Sequence, residues 1–107
     1  MAITRNFRET VQERIENDED FATALLDEAI QLFLNNEPSM ARLVLRDLVN
    51  ATVGFEALAI EVQKPSKSLH RMLSANGNPT MDNLTKIFSV LKQKLSVEFE
   101  IHAIKHA

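Results

Sequence analysis

Apolar residues recur along this chain mostly at intervals of three and four, the period of one helical face, and the breaks between these runs mark off successive helices. Phe7, Val11 and Ile15 form a first stripe, which ends at the polar cluster Asn17, Asp18, Glu19 and Asp20. A second run from Glu19 to Asn35 carries Phe21, Leu25, Leu26, Ala29, Ile30, Phe33 and Leu34, a face wide enough to need burial against more than one neighbour. Asn17 or Asp18 stands where a short side-chain oxygen accepts from the orphan N–H groups of this second helix, and negative charge suits its positive end. The cluster lacks the alternating oxygen ligands, the Gly and the distal Glu of a calcium loop, so it reads as a cap.

Asn35, Asn36, Glu37 and Pro38 interrupt the pattern, and Ser39 is expected to cap a third helix that buries Met40, Leu43, Val44, Leu48 and Val49 and ends near Val53. Gly54 falls where a left-handed residue closes that helix and turns the chain into Phe55. From Phe55 to Leu73, two short amphipathic patterns flank Gln63, Lys64 and Pro65. Leu58 and Val62 share one face of the first, beside the small Ala57 and Ala59. In the second, Leu69, Met72 and Leu73 face the core, which leaves Ser66, Lys67, Ser68, His70 and Arg71 outside. A helix of about eight residues, a turn of about three and a second short helix is the spacing of a helix-turn-helix. The turn lacks the frequent glycine, so Gln63 has to adopt the tight or left-handed conformation itself. The fixed φ of Pro65 suits the start of the second helix.

The loop Ser74, Ala75, Asn76, Gly77, Asn78, Pro79 follows, and Thr80 caps a helix to about Leu95 with Leu84, Ile87, Phe88, Leu91 and Leu95 on one face. The period then changes. Val97, Glu98, Phe99, Glu100 and Ile101 alternate, which predicts a half-buried strand over Ser96 to Ile101. A lone strand has two unpaired edges, so a strand here needs a partner from another chain or a bound protein.

Twelve Lys and Arg against fifteen Asp and Glu give a formal charge of −3, which argues against nucleic acid until the distribution is considered. Residues 1–37 hold Arg5, Arg8 and Arg14 against nine acids, a balance of −6, whereas residues 38–107 hold nine bases against six acids, a balance of +3. No acid lies between Glu61 and Asp82, the window that contains Lys64, Lys67 and Arg71. Short hydroxyls and cations without a carboxylate suit phosphates and base edges, so DNA is the partner the motif points to. Asn76 and Asn78 are either donors to phosphate oxygens or plain turn formers, and free N–H groups after Thr80 offer an anion site. His70 is either a phosphate contact when protonated or a spectator. The bland reading of the same cations is a solvated helix surface.

Other classes fare worse. No Ser lies in a nucleophile elbow or phosphate loop, and there is no Cys, Tyr or Trp, so an enzyme is not expected. His102 and His106 are four apart but follow a strand pattern, so a metal pair is not expected, nor is any cofactor. No apolar run reaches the roughly eighteen residues of a membrane span, and the opening MAITRNFRETVQERI lacks a signal peptide's apolar stretch; a cytoplasmic protein is expected.

The run LVLRDLVNATVGFEALAIEVQKPSKSLHRMLSANGNPTMDNL, from Leu43 to Leu84, closely resembles bacterial addiction-module antidote proteins, the HigA-type antitoxins. NATVGFEALA, KPSKSLHRML and GNPT are its specific pieces, and TRNFRETVQERIENDEDFATALLDEAIQLFL is similar to that family's N-terminal extension. The resemblance, which covers most of the chain up to the C-terminal strand, implies an all-α fold: a helical extension over 1–37 and a lambda-repressor-like five-helix DNA-binding domain over 38–95, with the strand and tail read from the alternation over 96–107. It implies a homodimer that represses its own promoter at an inverted-repeat operator and neutralises a RelE-superfamily toxin, an mRNA-cutting ribonuclease. It sets Pro65 at the cap of the recognition helix and sends Ser66, Lys67, Ser68 and Arg71 to the groove. Arg71 is then the candidate base contact, Lys67 serves phosphate or base, and Lys64 serves phosphate. The acidic N-terminal residues and the terminal strand are the two candidate surfaces for the toxin. The rival readings are a helical protein-interaction module and a stand-alone regulator of the same helix-turn-helix type with no toxin.

Overall fold

The computed structural model describes residues 3–106 and, for side chains, residues 9–106. It consists of six helices: α1 (Ile3–Asn17), α2 (Glu19–Leu34), α3 (Pro38–Ala51), α4 (Phe55–Val62), α5 (Ser66–Met72) and α6 (Met81–Leu95). The helices meet in one core. Ile15 of α1, Leu26 of α2, Leu45 and Leu48 of α3, Leu58 of α4, Leu69 of α5, and Ile87 and Leu91 of α6 belong to the same buried cluster. The side chain of Phe7, first in the expected N-terminal stripe, lies outside the described residues.

The element boundaries follow from local chemistry. Asp18 caps α2, its carboxylate accepting from the Phe21 N–H at 3.1 Å, as the acidic cluster predicts. Ser39 does not cap α3: the helix begins two residues earlier, with Glu37 as its N-cap and Pro38 in the first turn. Proline's fixed φ is already helical and its missing N–H is no loss at that position. The buried stripe of α3 matches expectation at Leu48 and Val49 and departs from it in the first two turns. Ala41, Leu45, Leu48 and Val49 are buried, while Leu43 and Val44 are half-buried and Met40 is exposed. Because α2 and α1 both pack on α3, its inward face is set by two neighbours. The helix ends at Ala51 rather than near Val53, and the Gly54 N–H closes it onto the Val49 carbonyl at 2.7 Å. Gly54 has a positive φ of 80° with ψ 150°, an extended left-sided conformation open essentially only to glycine, rather than the helical left-handed one.

Among the described residues there is no strand, so the strand expected over Ser96 to Ile101 is corrected: Ser96 is a left-handed turn residue at φ 55°, and the chain after it has no regular secondary structure. The alternation is nonetheless obeyed as far as Glu100: Val97 and Phe99 are half-buried against the helical core and Glu98 and Glu100 are exposed, whereas Ile101, expected on the covered side, is exposed. Alternation reports which side chains are covered, here by helices, and says nothing of whether a neighbouring strand pairs with the backbone.

Candidate nucleic-acid interface

The corner between α4 and α5 is built from both sides of a three-residue turn. Phe55, Leu58 and Val62 bury one face of α4, which ends when Gln63 takes the left-handed conformation at φ 57°, ψ 47°. The N–H groups of Gln63 and Lys64 both return to the Ala59 carbonyl, Lys64 at 3.1 Å. A left-handed residue other than glycine costs about 1–2 kcal/mol, a cost offset here by satisfying the helix's terminal carbonyls. Pro65 follows at φ −60°, ψ 141° as the N-cap of α5, and its carbonyl accepts from the N–H groups of Ser68 (3.0 Å) and Leu69 (3.2 Å).

Helix α5 buries Leu69, and Leu73 just beyond it; Met72 is half-buried, as the spacing predicts. Lys67, His70 and Arg71 are exposed, and Ser66 and Ser68 are half-buried. Lys64, Ser68, Arg71, Asn76 and Asn78 converge on an open groove of about 540 Å³, with Pro65, Met72 and Gly77 completing its lining. No carboxylate lines it. Ser66, Lys67, His70 and Thr80 stand outside this lining.

Gly77 lets the loop close against α5. A Cβ there would collide with the Met72 carbonyl oxygen and lie 2.6 Å from that of Arg71, so only a residue without a side chain fits. The same approach brings Asn76 and Asn78 to the groove beside Arg71.

Two sequence-expected residues have structural work. The His70 ring stacks on Phe55, centroids 3.9 Å apart and planes within 19°, which ties α5 to the start of α4. The Thr80 hydroxyl accepts from the Asn83 N–H at 3.1 Å and caps α6, while Asp82 occupies the first turn. With that cap made and an acid beside it, the positive end of α6 is already partly answered.

Arg42 was not foreseen. It is buried on α3, where its Nε donates to the Ser74 carbonyl at 2.9 Å and its Nη2 donates to the Ala75 carbonyl at 2.7 Å and to the Ser39 hydroxyl at 3.3 Å. A guanidinium thus holds the first residues of the loop that carries Asn76 and Asn78. The signal lay in phase: Arg42 stands three before Leu45 and seven before Val49, on the buried stripe.

Among the described residues, no group of His, Asp and Glu side chains is arranged to hold a metal ion, and no helix is long and apolar enough to cross a membrane. Comparison with family models, with curated proteins and with solved structures finds no match for this chain.

Proposed function

We propose that this protein is the antitoxin of a toxin-antitoxin module, a cytoplasmic DNA-binding repressor that also neutralises a RelE-superfamily ribonuclease. The observation that carries the DNA half is the acid-free groove beside α5, in which Lys64, Ser68, Arg71, Asn76 and Asn78 meet. In this reading α4 to α6 form part of a lambda-repressor-like bundle, α4 crosses the DNA backbone, and the exposed face of α5 enters the major groove. Arg71 reads a base, because a guanidinium spans the two acceptors on the guanine edge. Lys64 and Lys67 neutralise phosphates, and Asn76 and Asn78 donate to phosphate oxygens from the loop. A homodimer places two α5 helices about 34 Å apart on an inverted repeat. The family resemblance of the segment from Leu43 to Leu84 supports the toxin half.

The test is a binding titration of the purified protein against the DNA upstream of its own gene at several salt concentrations. Specific binding that weakens steeply with salt is expected, with a slope reduced by about 1 in the Lys64→Ala variant. Equal binding to unrelated DNA, or none, sinks the repressor reading.

A further inference from the structure

Beyond α6 the chain carries a second feature that the DNA reading leaves unused. The Val97 N–H bonds to the Lys92 carbonyl at 3.1 Å, and after it no backbone group from Glu98 to His106 is hydrogen-bonded to the described chain. Side chains alone hold the start of this segment. Val97 and Phe99 pack against the core, and the Phe99 ring meets the edge of Phe88 at 6.1 Å, which in turn meets Phe33 at 6.1 Å. A segment held by its side chains at one end and without backbone hydrogen bonds along its length is open to strand addition.

The surroundings select the partner. Asp20 and Asp27 of α2 face Glu98 and Glu100 across a hollow of about 430 Å³. A neighbouring hollow of about 510 Å³ is lined by Ile30, Leu34, Ile101 and Ile104 and shares Asp27 and Glu100. Three of its apolar side chains lie open to solvent: Leu34 at 66%, Ile101 at 61% and Ile104 at 87% exposure. No Lys or Arg lines either hollow. A carboxylate rim around apolar anchors repels nucleic acid and a second acidic copy of itself, and favours a cationic protein.

We propose that residues 98–105, with the acidic outer face of α2, form the docking strand for a basic partner protein, which adds the exposed edge of its own sheet to this backbone. The inference rests on the toxin reading above, since an RNA-cutting enzyme carries cationic surface for its own substrate. Alternate side chains, Ile101 among them, fill the partner's apolar sites while the carboxylates meet its cations.

The experiment uses the full-length protein co-expressed with the product of the adjacent reading frame, followed by amide hydrogen exchange on the free protein and the complex. Amides 99–105 are expected to exchange freely in the free protein and to become protected in the complex. Ala103→Pro, which removes one N–H from the exposed segment, and the double variant Glu98→Lys/Glu100→Lys each weaken the complex by about tenfold or more. Both variants bind DNA as the parent does. If the neighbouring product binds but amides 99–105 stay open, or both variants bind it as tightly as the parent, the docking strand is wrong and the toxin reading survives. If the amides are already protected in the free protein and become open on dilution, the occupant is a second copy and the proposal is overturned. If the neighbouring product does not bind at all, the toxin reading falls and takes this inference with it.

Discussion

The α4–α5 corner and the C-terminal segment are both amphipathic and both exposed, yet they are finished in opposite ways. At the corner, the Gln63 and Lys64 N–H groups and the Pro65 carbonyl are hydrogen-bonded within the turn, so what faces solvent is a set of side chains, cationic and hydroxylic. Along 98–106 the side chains at the start are anchored and the backbone faces solvent unpaired. A surface that presents side chains recognises chemistry group by group, whereas one that presents backbone recognises another backbone. The charge follows the same division, with no acid lining the groove beside α5 and no Lys or Arg lining the hollows beside the segment.

The comparison can be broken most forcefully from below, at the core that fixes the corner. Leu69→Ala removes a fully buried side chain and is expected to cost about 2–5 kcal/mol of stability, read as a fall in the denaturant midpoint. Gly77→Ala forces the loop away from α5 and should cost about 1–3 kcal/mol, and DNA affinity should fall with it because Asn76 and Asn78 move. Arg71→Ala leaves stability unchanged and removes about 1–3 kcal/mol of discrimination between operator and altered operator in competition binding. Unchanged discrimination would mean that Arg71 touches phosphate only. The smallest effect is a gain: Gln63→Gly relieves the left-handed residue and raises stability by up to about 1 kcal/mol, with DNA affinity retained. A loss of stability in that variant would show that the Gln63 side chain contributes more than its backbone strain costs.

Much of the corner was legible in the sequence because the inference rested on backbone chemistry. Without a turn glycine, Gln63 has to take a tight or left-handed conformation, and it is left-handed; Pro65, whose φ suits the start of a helix, stands just before α5 as its N-cap. Leu58, Val62, Leu69 and Leu73 were assigned to the core by spacing and are buried there. Errors arose where tertiary contacts decide. On α3 the spacing places Leu48 and Val49 correctly but misses Ala41 and Leu45, because Met40 and Leu43 look as apolar as they do and only packing against α1 and α2 separates them. Arg42 was missed for a related reason, since its partners are the carbonyls of Ser74 and Ala75, 32 and 33 residues away. The terminal alternation was read as a strand, but pairing is a property of two segments and the pattern describes one.

Helix α2 also changes how the acidic end of the chain has to be probed. Ala22, Leu26 and Ala29 are buried, so deleting residues 1–37 would dismantle the fold rather than test a surface. Reversals at Asp20 and Asp27, which are exposed, instead test whether the acidic face of α2 binds a partner while leaving the core intact.

The buried guanidinium of Arg42 has a genetic consequence. Its donors hold Ser74 and Ala75, next to Asn76, so under the proposed repressor reading a mutation on α3 is expected to alter how the loop asparagines meet DNA. Selection for weakened repression should therefore recover changes at position 42 as well as in α5. Arg42→Lys, which keeps the charge but cannot reach both carbonyls with a planar fork, is expected to loosen that loop and lower operator affinity with α5 unchanged.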